Sequence, residues 1–205
     1  PAWPDPPGLS GRGRTPLLRD PSVFAETDYL FMESTYGDRT HGDAGAVEGK
    51  LRRIIAETAA AGGNAVIPTF AVERAQELLF HLDGLVGRNL IPPLPVYMDS
   101  PMAINVTEVY ERHPSYLNPA VQAALLSGDS PFSFPRLRLV RTAEESKSVT
   151  GADGSCVVLA GSGMCTGGRI KHHLAANIER PESTVLFVGY QARGTLGREI
   201  LERNE

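Results

Sequence analysis

The sequence has few cysteines, no long apolar run and no large excess of charge of one sign. Its two cysteines, Cys156 and Cys165, are too few for a disulfide framework, which favours reduced thiols and a cytoplasmic location. No stretch approaches the ~20 apolar residues that a membrane-spanning helix needs, so no membrane partner is expected. With 24 acidic and 20 basic residues the net charge is −4, so any contact with nucleic acid requires a local basic patch.

Glycine and proline are abundant instead, with 21 and 16 copies in 205 residues. Prolines crowd the start of the chain, where no hydrophobic period is visible, so residues 1–24 are predicted to be an irregular leader. A small basic cluster that includes Arg19 is expected to be solvated there, and a phosphate contact is the alternative. Residues 25–205 are long enough for one α/β domain with a substantial core. The chain opens on Pro1, and we therefore expect a piece of a longer protein.

Strand-like apolar runs alternate with segments of helical period along the rest of the chain. The predicted strands are 29–33, 65–67, 96–98, 137–140, 156–160 and 184–188. The predicted helices are 44–61, 72–83, 102–112, 116–126, 142–148, 169–178 and one that begins near 195. The third helix is expected to bury four positions: Met102, Val106, Val109 and Tyr110. This alternation predicts a three-layer α/β fold, Rossmann-like or flavodoxin-like, in which a mostly parallel sheet carries helices on both faces.

The first candidate site follows the strand predicted at 29–33. Residues 29–32 form a continuous apolar run, as in a strand buried on both faces, and the run ends at the acid Glu33. The next turn carries hydroxyls, a guanidinium and an imidazole, on Thr35, Tyr36, Arg39 and His41. Ligands of open α/β sheets bind at the carboxyl ends of strands, which favours a functional site here. A surface turn with capping hydroxyls is the alternative.

A glycine-rich loop at 161–168 is the second candidate, because it lies between a predicted strand and a predicted helix. Backbone amides and the helix dipole favour an anion at such a place. The dinucleotide fingerprint fails at Thr166, the P-loop pattern fails at Arg169, and the hydrolase elbow fails at Ala160. A tight turn and a cradle for a phosphate or sugar-phosphate backbone both remain open, and a second glycine loop at 189–194 favours the cradle.

Side chains near these loops indicate how nucleic acid would be held. Arg39, Arg169 and Arg193 flank the predicted strand ends, which makes them better phosphate candidates than the other, scattered arginines. Tyr36 and Phe70 would suit stacking on the bases of single-stranded RNA. Phe70 would suit the core almost equally well.

The five histidines do not form a metal site by their spacing. His172 and His173 are neighbours, so on a helix their side chains would point about 100° apart. His81 and His113 are isolated, and neither an H-x-H nor an H-E-x-x-H pattern occurs. We therefore expect no metal ligands and no self-contained metalloenzyme site on this chain.

Four longer segments carry a family resemblance. They are ESTYGDRTH at 33–41, PTFAVERAQELL at 68–79, SGMCTGGRI at 162–170 and VGYQARGTL at 188–196. Together and in this order they resemble the β-CASP branch of the metallo-β-lactamase superfamily, whose members are RNA- and DNA-processing nucleases. The resemblance is closest to the prokaryotic RNA-degrading members, which are related to the mRNA 3′-end cleavage endonuclease.

This resemblance implies a β-CASP domain without the metallo-β-lactamase domain into which the family inserts it. That missing domain carries the H-x-H-x-D-H zinc motif, which this chain lacks, and residues 1–24 would be the junction with it. The parent protein would be a cytoplasmic ribonuclease in which zinc-bound hydroxide attacks RNA. This chain would be the lid that grips the RNA, inactive by itself and without zinc ligands. Its implied partners are RNA, the missing domain and a second copy of the chain.

The resemblance also assigns roles to residues. Glu33 matches an acid that orients an active-site histidine, and that histidine is not on this chain. Ser162, Gly163 and Met164 match the loop that faces the RNA cleft and holds phosphates. The neighbouring loop of the family matches the segment that ends at Gly194. Two alternatives remain, namely a stand-alone phosphate- or nucleotide-binding α/β module and a dimerisation module.

Overall fold

The structure, a computed structural model, describes residues 15–20, 25–26, 28–29, 31, 34–38, 45–151 and 154–203. Within these ranges the strands are β1 (Ala65–Pro68), β2 (Val96–Asp99), β3 (Leu137–Leu139), β4 (Val157–Ala160) and β5 (Thr184–Val185). The α-helices in the same ranges are α1 (Ala46–Ala60), α2 (Arg74–Gly87), α3 (Pro101–Arg112), α4 (Pro119–Leu126), α5 (Ala143–Thr150), α6 (Ile170–Asn177) and α7 (Leu196–Glu202). A short 3₁₀ helix, Pro114–Tyr116, joins α3 to α4. None of the described helices has the length and apolar character needed to cross a membrane.

The five strands are parallel and lie in the order β3-β2-β4-β1-β5. The central strand β4 therefore has β2 on one side and β1 on the other. Ala160, the last residue of β4, stands in register with Pro68 of β1 and with Asp99 of β2. The carboxyl ends of these three strands thus meet at one level. The parallel sheet with its connecting helices confirms the predicted α/β fold class.

Two separate apolar clusters cover the two faces of the sheet. Side chains along β4 alternate between them, with Val157 and Leu159 in the first cluster and Val158 and Ala160 in the second. The first cluster takes residues from α1 to α4, and the second takes residues from α5 to α7. Helices therefore cover both faces, which gives the three layers that the sequence predicts.

The chain leaves neighbouring strands toward opposite faces of the sheet. From β1 and β2 it runs into α2 and α3 on the first face, whereas from β4 it runs into α6 on the second face. The loop after β4 therefore diverges from the loops on either side of it. A crevice opens where such connections diverge, and ligands of parallel α/β sheets bind there.

Local sequence sets the starts of two helices. Ser100 accepts a hydrogen bond from Ala103 N–H over 3.3 Å at the start of α3, and Pro101 occupies the first helical position. Thr142 and Glu145 form the reciprocal capping box of α5, as their spacing predicts. These helices begin where their caps satisfy amides that have no acceptor within the helix.

The buried side of α3 differs from the predicted one. Met102 and Val109 are 67% and 44% exposed, so the prediction that they face the core is wrong. The helix buries Ala103, Ile104 and Thr107 instead. Gln76 of α2 explains this rotation, because its buried amide donates to Ala103 O (3.3 Å) and to Thr107 Oγ1 (2.9 Å). These two hydrogen bonds hold Ala103 and Thr107 against α2, so this side of α3 faces inward together with Ile104.

The run predicted as the first strand, 29–33, is not part of the sheet where the structure describes it. Tyr29 and Phe31 lie outside the strands and are 84% and 93% exposed, so two-sided burial is wrong at these positions. Leu30, Met32 and Glu33 lie outside the described residues. An apolar run indicates a strand only when neighbouring strands pair with it, and the run itself does not specify them.

Part of the predicted leader is packed on the domain. Leu17 is 1% exposed and belongs to the first apolar cluster. Leu18 forms an antiparallel bridge with Leu117, and Arg19 Nε donates to the Leu117 carbonyl over 3.2 Å. Residues 15–20 lie outside the helices and strands and are docked on the domain through Leu17 and Leu18, while Arg19 is exposed. The predicted domain boundary at residue 24 stays a prediction.

Candidate functional site

A cleft of about 340 Å³ lies at the carboxyl ends of β1, β2 and β4. Four stretches line it: 69–71 after β1, 99–102 between β2 and α3, and the two ends of the glycine-rich loop, 161–163 and 168–169. The cleft thus occupies the crevice that the diverging connections open. It brings together four residues predicted from the sequence, namely Phe70, Ser162, Gly163 and Arg169.

The glycine-rich loop, residues 161–168 and hereafter the β4 loop, closes on itself. Ile170 N–H donates to Gly161 O over 2.9 Å, and Ser162 N–H donates to Gly167 O over 3.2 Å. Gly168 has a φ of +75°, and a Cβ there would lie 2.5 Å from Gly161 O. Only glycine fits this position. Backbone hydrogen bonds therefore define the shape of the loop.

Two consecutive amides in the β4 loop, those of Gly163 and Met164, are the candidate donors to an anion. No acceptor for the N–H groups of Gly163 and Met164 is found within the described part of the chain. Gly163 also lines the cleft. Successive backbone amides of this kind bind anions, because they carry partial positive charge and need an acceptor.

The electrostatics of the cleft also favour an anion. The start of α3 lines it through Pro101 and Met102, and the residue before α6, Arg169, lines it as well. The N-terminus of a helix carries partial positive charge. Asp99 is the one carboxylate among the described lining residues, and Arg169 pairs with it over 2.6 Å. A phosphate in this cleft would therefore meet no unpaired negative charge from the described lining.

Asp99, at the end of β2, anchors a buried polar network. Its carboxylate is fully buried, and Arg169 Nη1 donates to Oδ1 over 2.6 Å. Oδ2 accepts from Ser146 Oγ of α5 over 2.5 Å and contacts His173 Nε2 of α6 at 2.6 Å. One carboxylate thus connects β2 to α5, to α6 and to the end of the β4 loop.

Two opposing effects set the pKa of Asp99. Burial raises the pKa, but hydrogen bonds from His173, Ser146 and Arg169 outweigh burial and hold it below its ordinary value. Asp99 is therefore ionised at neutral pH, and His173 donates its Nε2–H to the carboxylate. A charged and fully paired carboxylate of this kind holds structure together and has no proton to transfer.

The structure changes the interpretation of Arg169, which the sequence suggests as a phosphate ligand. Besides its bond to Asp99, Nη1 donates to Val140 O over 3.0 Å, and Nη2 donates to Arg141 O over 2.8 Å. Three of the five N–H groups of a guanidinium are thereby engaged within the protein. Arg169 acts first as a connection between β2, the β3–α5 segment and α6.

Phe70 joins the β4 loop to the second glycine loop, 189–194. A Cβ on Gly163 would lie 2.7 Å from the Phe70 ring, and a Cβ on Gly189 would lie 3.0 Å from it. Gln191 Nε2 donates to the carbonyl oxygens of both glycines, over 2.8 and 3.2 Å. The two loops therefore lie side by side. Phe70 is 38% exposed, so its ring supports the glycines and still presents surface to solvent.

The other predicted site residues lie outside the cleft lining. Tyr36 packs edge to face on Tyr190 with ring centroids 5.8 Å apart, which places the turn that holds Thr35 beside the second glycine loop. Arg193 and Gly194 are exposed in that loop. Three predicted residues lie outside the described ranges: Glu33, Arg39 and His41.

Sequence reasoning missed Asp99, Ser146 and His173. Asp99 carried a usable signal, because it ends a predicted strand, where site residues of open α/β sheets lie. His173 follows Arg169 by four residues, which places the two on one side of α6. No signal in the sequence marks Ser146 as their partner.

The described residues contain no group of three or more histidine, cysteine or acidic side chains that could hold a metal ion. Cys156 and Cys165 are both buried and in no disulfide. Burial raises the pKa of each thiol to about 11. Both therefore stay protonated near neutral pH, and neither offers a nucleophile.

Comparisons with a family model and with known proteins point to one family. The model of the Beta-Casp domain matches residues 75–200. Ribonuclease TTHA0252 of Thermus thermophilus is 43% identical over 196 residues, which cover 96% of this chain and 45% of that protein. Transcription termination factor FttA of Methanosarcina mazei is 36% identical over 188 residues, which cover 89% of this chain and 29% of that protein.

A third relative, the RNase J-like protein of Methanocaldococcus jannaschii, is 32% identical over 194 residues, which cover 94% of this chain and 44% of that protein. This chain thus spans less than half the length of each of the three relatives. The match of the family model extends over most of the chain, from α2 to α7. The chain belongs to the Beta-Casp domain family.

Proposed function

We propose that this chain is the RNA-gripping lid of a metal-dependent ribonuclease. The observation that carries the proposal is the cleft at the ends of β1, β2 and β4. Gly163 lines this cleft, its N–H and that of the next residue, Met164, have no acceptor among the described residues, and the lining carboxylate is already paired. Such a site favours phosphate. The name of the relative Ribonuclease TTHA0252 supports RNA as the source of that phosphate.

The β4 loop would hold a backbone phosphate through the two amides, to which Ser162 adds a hydroxyl in the cleft lining. Phe70 and Tyr190, each 38% exposed, would present ring surface to the bases of a single strand. Arg193, exposed in the adjacent glycine loop, would supply a cation to a neighbouring phosphate. These contacts extend past the cleft itself, which favours a polymer over a single nucleotide.

Zinc, which membership of the superfamily implies, does not fit the described residues, because no ligand cluster is found among them. We therefore assign zinc to a metallo-β-lactamase domain outside this chain, with residues 1–24 as the junction to that domain. Glu33 would orient a histidine of that domain. The role of this chain would be to bind and orient the RNA strand. Without the other domain the chain is expected to be inactive.

Binding of single-stranded RNA by this chain, measured by fluorescence anisotropy at low and physiological salt, tests the first half of the proposal. We expect saturable binding that weakens as salt rises, because phosphate contacts dominate. Inorganic phosphate and AMP should compete only weakly. Equal competition by AMP would favour a stand-alone nucleotide-binding module, and absence of binding at low salt would overturn the proposal.

The metal-dependent half is tested with the full-length product of the encoding gene. We expect its reading frame to encode an H-x-H-x-D-H motif upstream of this segment, and its product to cleave RNA in a chelator-sensitive reaction. The isolated chain should show no cleavage under the same conditions. Chelator-sensitive cleavage by the isolated chain would contradict the assignment of zinc to another domain.

A further inference from the structure

We propose that Asp99 is a positioning residue for RNA binding, which acts through Arg169 and His173 to hold the β4 loop in its anion-binding shape. Together with Ser146 these residues form what we call the Asp99 clamp. The proposal deepens the RNA-binding function and rests on it for its consequence. The clamp itself also has a readout that needs no RNA.

The clamp begins where the β4 loop ends. Gly168 is the last residue of the loop, Arg169 is the next, and His173 follows one turn later on α6. Arg169 and His173 bind different oxygens of the same carboxylate, at 2.6 Å each. The start of α6 therefore cannot shift along β2 without breaking both bonds.

The other end of the β4 loop is fixed to the same residue. Ala160, which precedes the loop, is paired with Asp99 in the β2–β4 ladder. The loop thus leaves the sheet beside the backbone of Asp99 and returns to its side chain. Any change in the Asp99 side chain alters one anchor of the loop and leaves the other in place.

The Asp99 carboxylate and the His173 ring are not open to a ligand. Both Asp99 oxygens accept hydrogen bonds, and the side chains of Asp99 and His173 are 0% and 1% exposed. Arg169 is further held by the carbonyls of Val140 and Arg141. A buried carboxylate is tolerated only with such pairing, so removal of one partner loosens the others. Asp99 therefore acts through the β4 loop and not by contact with RNA.

Amide hydrogen exchange of this chain, followed by mass spectrometry, tests the clamp directly. In Asp99→Asn, we expect peptides that cover 161–170 to exchange about tenfold faster than in the wild type, while peptides from α1 and α2 are unchanged. RNA affinity should fall in the same variant at temperatures well below its unfolding transition. Leu82→Ala in the core of α2 serves as a control of reduced stability with an intact clamp.

A double variant separates positioning from general stability. Asp99→Asn leaves the partly buried Arg169 without its counter-ion, whereas Asp99→Asn/Arg169→Gln removes both charges. We expect the double variant to regain part of the lost thermal stability but to keep fast loop exchange and weak RNA binding. Recovery of RNA affinity together with stability would overturn the positioning role.

The outcomes also separate this proposal from the proposed function. If wild-type chain binds no RNA, the RNA-binding function fails, and exchange still decides whether the clamp holds the loop. Unchanged exchange over 161–170 in folded Asp99→Asn overturns the clamp whatever the RNA result. Should Asp99→Asn not fold, Ser146→Ala is the substitute, because it removes one hydrogen bond to Asp99 and keeps both charges. This variant must also show faster exchange over 161–170, by a smaller factor.

Discussion

The ring of Phe70 lies on the backbone of Gly163, so closely that a methyl group on Gly163 would stand 2.7 Å from the ring Cδ2 atom. Gly189 of the second glycine loop approaches the same ring. The ring thus sets the distance between two loops that no strand pairing holds together. A phenylalanine read from the sequence as a base-stacking or core residue has a third role, as the spacer of the candidate site.

Gly163→Ala should therefore distort the β4 loop. We expect a loss of about 1–3 kcal/mol in the free energy of unfolding, because the added methyl overlaps the Phe70 ring. RNA affinity should fall as well. Gly49→Ala in α1 is the matched control, since a Cβ there meets no atom within 4 Å and alanine favours the helix. Equal RNA affinity in the two variants, measured by anisotropy, would contradict the spacer role.

Gly197→Ala should break the second connection between the loops. A Cβ at Gly197 would lie 1.8 Å from Gln191 Oε1, so the Gln191 side chain must leave its bonds to the carbonyls of Gly163 and Gly189. We expect a loss of about 1–3 kcal/mol in the free energy of unfolding. In a Gln191→Ala background the same substitution should cost less, because only the contact with Met164 O at 3.1 Å remains. The double-mutant cycle is measured by urea denaturation. Additive losses of unfolding free energy would contradict a steric clash between the new methyl group and the Gln191 side chain.

The stability that Asp99 contributes should depend on pH in the acid range. Its pKa in the folded protein is below its ordinary value, so its contribution is present above that ordinary value and is lost as pH falls through the folded pKa. We expect the free energy of unfolding of the wild type to exceed that of Asp99→Asn by roughly 3–5 kcal/mol at pH 7. The difference should shrink below about pH 4. Urea denaturation at several pH values measures it, and a constant difference would contradict ionic pairing.

The two thiols should be inert in the native protein. Burial raises the pKa of Cys156 and of Cys165 to about 11, so almost no thiolate exists at pH 8. A thiol reagent such as DTNB should therefore react only as fast as the protein unfolds and should titrate both thiols in denaturant. In denaturant, Cys165→Ala should titrate as a protein with one thiol. Rapid reaction of a native thiol would show that one of them reaches solvent.

Local patterns predicted most of the architecture. A helical period or a short apolar run involves only residues that are close together in the sequence. These patterns therefore placed β1 to β4 and the helices within a few positions of their observed ends. The capping box at Thr142 is a local pattern of the same kind. The strand order β3-β2-β4-β1-β5 depends on contacts between distant segments, which local patterns do not specify.

In the candidate site, too, local features were predicted from the sequence and contacts between distant segments were not. Glycines that require special backbone geometry marked the β4 loop, because Gly168 is constrained by its own φ and by Gly161. The Asp99 clamp joins residues more than 40 positions apart, so no spacing rule finds it. Arg169 shows the same limit, since its hydrogen bonds to Asp99, Val140 and Arg141 cannot be read from the sequence. Hydrophobic spacing misplaced Met102 and Val109 of α3, where hydrogen bonds from the buried amide of Gln76 hold a different side of the helix inward.

The docking of Leu17 sets where this domain can be cut for production. Composition suggests a start near residue 25, but a chain shortened there would lose a side chain from the first apolar cluster and the bridge between Leu18 and Leu117. Loss of a buried leucine costs about 2–5 kcal/mol, a large part of the stability of an ordinary domain. An expression boundary for the β-CASP domain therefore belongs before Thr15, inside the stretch that looks dispensable.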